Sequence, residues 1–122
     1  MTQPLALLLY EKLLPGSQLV NRLQDMGWRV QTLHDSAALV RAAEEFKPLL
    51  VIADLAPSSP AVCESIAKLR VHASTKHLPV IAFGADEAQH QAAANAGATL
   101  AASDTAILQH FNQFIDQALN DF

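Results

Sequence analysis

The scarcity of cysteine is the first feature of this sequence that limits its chemistry. The single cysteine, Cys63, cannot form a disulfide within the chain, and a zinc site built on several thiolates is excluded as well. One cysteine is compatible with a reducing compartment, where structural disulfides are rare. Because Cys63 follows the apolar Val62, we expect it to be a small, buried or half-buried helix side chain rather than a nucleophile.

Glycine and charged residues are also scarce. The chain has four glycines and neither a GxGxxG nor a P-loop motif, so the sequence offers no glycine-rich phosphate cradle. Charged residues make up 16% of the chain, and 8 Lys and Arg against 12 Asp and Glu give a net charge of −4. This balance argues against direct nucleic-acid binding. The five histidines show none of the spacings typical of a metal motif.

Long hydrophobic runs are missing, although hydrophobic residues make up 51% of the sequence and alanine alone contributes 22 residues. The apolar run at 5–9 lacks a basic leader and is far shorter than the roughly 20 residues of a membrane span. The hydrophobic content argues against disorder. We therefore expect one soluble, cytoplasmic domain over residues 1–122, with no membrane contact.

The residues that are present alternate between strand-like and helix-like segments. Apolar runs at 5–9, 49–53 and 79–83 predict three strands, the first two of them covered on both faces. The mixed segment 28–33 predicts an edge strand, and 98–102 predicts a short fifth strand.

Helical apolar spacing fills the intervals between these strands. In the second helix, the pattern puts Leu39, Ala42, Ala43 and Phe46 on the buried face. The first helix is expected to begin at Pro15–Ser17 and end at Gly27, and the second to begin at Asp35 or Ser36 and end at Pro48. The third is expected to begin at Ser59–Pro60, and the fourth to begin at Asp86 and end at Gly97. One last helix is expected from Ile107 to Phe122.

Five strand–helix units of this kind predict an α/β fold with a parallel sheet between two layers of helices. The apolar first and third strands belong in the middle of the sheet, and the mixed second strand belongs at an edge. With right-handed crossovers this gives the strand order 2-1-3-4-5, the flavodoxin-like doubly wound (βα)5 three-layer sandwich.

Ligands of such a sheet bind beyond the carboxyl ends of the strands, at the point where the strand order reverses. Three acids are expected there: Glu11 after the first strand, Asp54 at the end of the third and Asp104 after the fifth. Gly84 follows the fourth strand, and Ser103 precedes Asp104. Three carboxylates with water could hold a divalent cation at this edge.

The chain resembles the receiver domains of bacterial two-component response regulators over essentially all 122 residues. The resemblance lies in the segments Lys47–Asp54, Leu69–Arg70, Leu78–Phe83 and Ala96–Ala98 and in their order and spacing. It implies that Asp54 occupies the position of the phosphoryl-accepting aspartate. It also implies a Mg²⁺ ion held by that aspartate and by an acid after the first strand, here Glu11.

Several other positions depart from the pattern that the resemblance implies. Tyr10 stands in place of one acid of the pair after the first strand, and Gly84 in place of the Ser or Thr that binds the phosphoryl group. Ala101 replaces the switch aromatic of the fifth strand. Asp104 replaces the lysine that neutralises the phosphoryl oxygens, which reverses the charge. These departures indicate a degenerate, or pseudo-receiver, variant.

The roles of the acids stay open at this point. Asp54 is either a strand-end aspartate retained by descent or a working phosphoacceptor that uses Mg²⁺; in the first case no cofactor is expected. Asp104 is expected to cap the last helix, since Asp is a favoured N-cap residue.

Three functions follow from these alternatives. The first is a non-enzymatic signalling domain that works by protein–protein contact, with a partner protein, a fused output domain or a second copy. The resemblance implies a contact face on the fourth helix, fifth strand and fifth helix, and this face carries Ala92, Ala93, Ala101 and Ala102. The second is a phosphorylatable receiver, and the third is a sensor of a small molecule or metal in the crevice at the strand ends.

Overall fold

The parallel sheet of this protein has five strands in the order β2-β1-β3-β4-β5. A computed structural model describes residues 4–10, 13–55, 59–84 and 86–120, with the backbone alone for residues 13–16 and 59. Every neighbouring pair of strands is parallel, which confirms the flavodoxin-like fold and the strand order expected from the sequence. The strands are β1 (Leu5–Leu9), β2 (Arg29–Leu33), β3 (Leu50–Asp54), β4 (Val80–Phe83) and β5 (Leu100–Ala102).

Helices lie between successive strands, and two helices follow the last one. They are α1 (Leu13–Asp25), a 3-10 turn (Ser36–Ala38) leading into α2 (Leu39–Phe46), α3 (Ser59–Val71), α4 (Glu87–Ala96), α5 (Asp104–Gln109) and α6 (Phe111–Asn120). None of the helices in the described ranges has the length and apolar composition that a membrane span requires.

The prediction of one unbroken last helix is wrong, because the chain leaves the helical conformation at His110 (φ −124°, ψ 31°). The apolar spacing continues across this break. Ile107 of α5 and Phe111 and Ile115 of α6 all pack into the same core cluster. A regular stripe of core residues therefore conceals the break in the sequence.

Two apolar cores lie on opposite faces of the sheet because successive strand residues point to opposite sides. Leu8 and Ile52 face the core beneath α1, α5 and α6, whereas Leu7 and Val51 face the core beneath α2, α3 and α4. All five residues of β3 are buried, whereas every residue of β2 keeps some exposure. The burial pattern thus matches a central β3 and an edge β2.

The end of α2 differs from its prediction. Leu39, Ala42 and Ala43 are buried, but Phe46, expected beside them, is 40% exposed. Phe46 is the last residue of the helix, and the chain turns at Lys47, whose backbone is left-handed (φ 50°, ψ 57°). This turn leaves the final phenyl ring at the rim of the helix layer.

Arg70 near the end of α3 joins three segments through its guanidinium group. Its Nε and Nη2 donate to the carbonyl oxygen of Gly97 at 2.9 and 2.7 Å. Its Nη1 donates to the carbonyl oxygens of Lys76 at 3.0 Å and Leu78 at 2.6 Å. Burial lowers the pKa of Arg70 from its ordinary value. Arginine still stays charged, so this clamp ties α3 and the segment before β4 to the end of α4.

Candidate functional site

The carboxyl ends of the strands bring the residues of the expected site to one edge of the sheet. Asp54 of β3 pairs with Phe83 of β4, and Phe83 pairs with Ala102 of β5. The next residue after Phe83, Gly84, donates its backbone N–H to the carbonyl oxygen of Ala102 at 3.0 Å. Tyr10 follows the pairing of Leu9 with Ala53, the residue before Asp54. The order of positions along this edge is therefore the one that the strand order predicts.

Asp54 ends the most deeply buried strand and is itself only 2% exposed. An ionised carboxylate at such a place is costly unless other groups compensate its charge. This buried position is the one that the resemblance identifies with the phosphoacceptor.

Asp104 is the first residue of α5, and the prediction that it caps this helix is corrected by its neighbour. Ser103 is the N-cap residue, because its Oγ accepts the backbone N–H of Ala106 at 3.1 Å. The Oδ1 of Asp104 is buried and has no hydrogen-bond partner among the described residues. The side chain after β5 therefore brings a negative group, rather than the positive group of the resemblance, to the edge that holds Asp54.

Tyr10 is held by the end of β2. Its backbone N–H donates to the carbonyl oxygen of Leu33 at 2.9 Å, and its own carbonyl oxygen lies 2.8 Å from Nδ1 of His34. A carbonyl oxygen can only accept, so His34 carries its proton on Nδ1 in this contact. The Tyr10 and His34 rings also meet edge to face, with centroids 4.9 Å apart and planes at 78°.

Gly84 has a left-handed backbone (φ +84°), a conformation that glycine adopts without the steric cost of a Cβ. Its carbonyl oxygen lies 2.8 Å from Nε2 of His90 on α4, which therefore donates to it. Asp86 and Gln89 form a capping box at the start of the same helix, at 3.1 and 2.9 Å. Gly84 is thus linked to α4 by the His90 side chain of that helix.

His34 and His90 are the residues of this edge that sequence reasoning missed. His34 donates to the carbonyl oxygen of Tyr10, and His90 donates to the carbonyl oxygen of Gly84. Tyr10 and Gly84 are both positions at which the sequence departs from the receiver pattern. The spacing of six residues from Gly84 to His90 is the signal that the sequence offers for the second contact, but this spacing does not specify which way the His90 side chain faces.

Glu11, expected as a metal ligand, lies outside the described residues. Within the described ranges, no group of three or more His, Cys, Asp or Glu side chains is placed to hold a metal ion. Of the expected acids, the structure brings Asp54 and Asp104 to the same edge of the sheet.

The four alanines of the expected contact face are not equally accessible. Ala92 is exposed and Ala101 is half-buried, but Ala93 and Ala102 are buried. Ala93 packs into the core beneath α4, because it occupies the sheet-facing side of that helix. Of the four, Ala92 is therefore the exposed residue, and Ala101 is partly accessible while it packs against the core. Cys63 is half-buried against the same core, as its place on the third helix predicts.

No protein-family model matches this chain, and no curated protein is similar enough in sequence to match it. Solved structures do match. One is a protein from Chloroflexus aurantiacus described as a response regulator, with a TM-score of 0.87, 17% identity, and coverage of 98% of this chain and 99% of that one.

Two further structures show the same likeness. The receiver domain of a sensor histidine kinase from Pseudomonas aeruginosa, with a magnesium ion in its active-site cleft, has a TM-score of 0.84 and 16% identity and covers 98% and 99% of the two chains. A LuxR-family response regulator from Aurantimonas has a TM-score of 0.82 and 18% identity over 98% of this chain and 87% of that one. This protein therefore has the fold of the response-regulator receiver domains.

Proposed function

We propose that this protein is a receiver-like signalling domain that acts by binding other proteins and that does not use a phosphoryl relay. The observation that carries the proposal is Asp104, an acid at the start of α5 where the resemblance calls for a lysine. The proposed domain is not an enzyme and works in the cytoplasm.

The charge at this position matters because a phosphoryl group is itself negative. Two like unit charges about 4 Å apart repel each other by roughly 4 kcal/mol at an effective dielectric constant of 20. A lysine would attract the phosphoryl oxygens by a similar amount. Replacing that lysine by Asp104 therefore turns an electrostatic attraction into a repulsion. Oδ1 of Asp104 is buried and has no hydrogen-bond partner among the described residues, so no donor to this oxygen offsets the repulsion.

The residues that would report phosphorylation are also missing. Gly84 has no hydroxyl group to bind a phosphoryl oxygen, and its carbonyl group is already held by His90. Ala101 has no aromatic ring that could change its orientation. The hydrogen bond from His90 links Gly84, directly after β4, to α4, which supports a domain whose surface does not depend on phosphorylation.

Without a phosphoryl relay, contact with other proteins is the remaining activity of the proposed domain. On the expected contact face, Ala92 is exposed and Ala101 is half-buried, and both are small side chains that permit close approach. A partner protein, a fused output domain or a second copy of the chain could occupy this face. The structures with the same fold include the receiver of a sensor histidine kinase and a LuxR-family regulator.

Incubation with acetyl phosphate and Mg²⁺, followed by intact-mass measurement, tests the proposal. In phosphorylation, a carboxylate oxygen of Asp54 would form the new bond to phosphorus while the bond from phosphorus to the acetyl oxygen breaks and acetate leaves. We expect no adduct on the natural protein. Asp104→Lys, which restores the cation, is the matched variant and should increase any trace of modification.

A phosphoryl adduct on the natural protein that disappears in Asp54→Asn would overturn the proposal. The domain would then be a phosphoacceptor receiver in which Asp54, together with Glu11, is available to hold Mg²⁺, the metal whose charge would offset the repulsion. The position of Asp54 at the end of β3, where the resemblance places the phosphoacceptor, is the observation that favours this second candidate. Circular dichroism of each variant confirms that the fold is retained.

A further inference from the structure

The charges of this protein are divided unevenly along the chain. All eight Lys and Arg residues precede residue 77, whereas five of the twelve acids follow it. Residues 1–76 therefore carry a formal charge of +1 and residues 77–122 a formal charge of −5. The second segment forms β4, α4, β5, α5 and α6, so one side of the folded domain has no Lys or Arg of its own.

This side of the domain includes the contact face formed by α4, β5 and α5. The face wraps around an edge of the sheet, because β5 is the last strand and the two helices lie on opposite sides of it. Ala93 of α4 packs into one core, and Ile107 of α5 packs into the other. Between them, Ala92 is exposed and Ala101 is partly exposed. Small side chains at these two positions let a partner approach the backbone closely.

The acids of the contact face stand together at its carboxyl end. Asp86 caps α4, Glu87 is the first residue of that helix, and Asp104 is the first residue of α5. The two helix starts are adjacent, because they follow neighbouring strands whose ends pair at Phe83 and Ala102. Asp86 and Glu87 are exposed and Asp104 is partly exposed. A helix start offsets only about half a unit charge, so the three acids leave this end negative.

The cations of neighbouring elements do not cancel this charge. Lys68 forms an ion pair within α3 and lines a cavity between α3 and α2, away from α4. Arg70 donates to carbonyl oxygens at the other end of α4. Arg22 on α1 lines a cavity at the far end of α5 from Asp104. Lys12 lies outside the described residues, and the charge of Glu11 beside it in the sequence is opposite.

Asp104 adds an independent observation. Its Oδ1 is buried and has no hydrogen-bond partner among the described residues, although the residue as a whole keeps some exposure. A buried carboxylate oxygen without a donor raises the free energy of the folded protein. A cationic side chain that reaches this carboxylate from outside lowers that cost. The contact face therefore favours a ligand that brings its own positive charge.

We propose that the contact face binds a basic segment of a partner protein, with Lys or Arg side chains against Asp86, Glu87 and Asp104. The rest of the segment lies over Ala92 and Ala101. The inference rests on the proposed function, because it names the class of partner that the receiver-like domain binds. Charge selects against a second copy of this chain, which would bring the same acids to the interface without a Lys or Arg to pair with them.

The test is a titration of ¹⁵N-labelled protein with a capped alanine–lysine peptide of about 20 residues, a length that supports an isolated helix. A matched peptide has glutamate in place of every lysine. We expect the lysine peptide to change the chemical shifts of residues 86–95 and 100–105, and the glutamate peptide to leave them unchanged. Added salt should weaken the binding, because exposed charges are screened. Light scattering of the protein alone should show a monomer.

Two substitutions with the same change of charge separate a specific surface from general attraction to an acidic protein. Glu87→Lys reverses one charge of the contact face and should lower the affinity for the lysine peptide at least about fivefold. Glu45→Lys makes the same reversal on the exposed side of α2 and should lower it less than about twofold. Ala92→Gln adds bulk without charge and should also lower the affinity. Urea denaturation confirms that each variant is folded.

The proposal is overturned if the lysine peptide causes no shifts up to millimolar concentration, or if its shifts map away from the contact face. It is also overturned if the two charge reversals weaken binding equally, if Ala92→Gln leaves it unchanged, or if the glutamate peptide binds as well. A dimer of the protein alone that Ala92→Gln disrupts would assign the face to a second copy instead.

Failure here is distinguishable from failure of the proposed function, because the titration contains neither a phosphoryl donor nor Mg²⁺. A phosphoryl adduct on Asp54 together with intact binding of the lysine peptide would contradict the proposed function alone. The absence of both the adduct and the binding would contradict the present inference alone.

Discussion

Replacing Arg70 by alanine removes the clamp that joins α3, the segment before β4 and the end of α4. Four hydrogen bonds to three carbonyl oxygens are lost, those of Gly97, Lys76 and Leu78. At about 1 kcal/mol for each carbonyl that loses its partner, the free energy of unfolding should fall by about 3 kcal/mol. This is a large part of the roughly 5–15 kcal/mol that stabilises a typical domain.

Urea denaturation measures this loss. The fluorescence of Trp28, the single tryptophan, reports the unfolding because its side chain is buried in the core beneath α1. Arg41→Ala on the exposed face of α2 is the matched control and should change the free energy of unfolding by less than about 0.5 kcal/mol. A loss below about 1 kcal/mol for Arg70→Ala would refute the view that the clamp stabilises the fold.

Gly97→Ala tests the same clamp from the other side. A Cβ at residue 97 would lie 2.7 Å from Cγ of Arg70, and the backbone there has φ +120°, which side-chain-bearing residues rarely adopt. The substitution therefore adds a steric clash to backbone strain. In the Arg70→Ala background only the strain remains, so the double variant should be less destabilised than the sum of the singles by at least about 0.5 kcal/mol. Additive effects would contradict a steric contact between the new Cβ and the Arg70 side chain.

Two further predictions concern the carboxyl edge. Ser103→Ala should destabilise the protein by about 1 kcal/mol because its cap on the N–H of Ala106 is lost. Asp104→Asn keeps that cap and should lower the free energy of unfolding by less. Urea denaturation compares the two variants, and the reverse order would contradict the assignment of the cap. His90→Ala should increase hydrogen exchange in the segment that begins at Gly84, because the hydrogen bond to Gly84 is lost. His90→Gln should keep much of the protection, because the glutamine amide nitrogen can take the place of Nε2. Equal exchange in the two variants would contradict the contact.

The order of the strands could be predicted because the hydrophobicity of the residues in each strand indicates how deeply that strand is buried. Apolar runs such as Leu50–Ile52 mark interior strands, and the mixed run Arg29–Leu33 marks an edge. With right-handed crossovers, few other orders remain. The positions of Asp54, Gly84 and Asp104 at one edge then follow from the order alone.

The contacts made by individual side chains could not be predicted in the same way. Whether Ser103 or Asp104 caps α5 depends on which backbone leaves the helical region, and both residue types make good caps. The bond from His90 to Gly84 depends on the rotation of α4 about its axis, which is set by packing. The break at His110 was hidden because Ile107 and Phe111 serve the same core on either side of it.

The break at His110 has a mechanical consequence for the whole domain. A continuous helix would carry a rotation at its start, near Asp104, as a rigid lever to its far end at Asn120. Here α5 is only six residues long, and α6 has its own anchors in Phe111, Ile115 and Ala118. We therefore expect a tilt of α5 to be taken up in part at His110 rather than carried rigidly to Asn120.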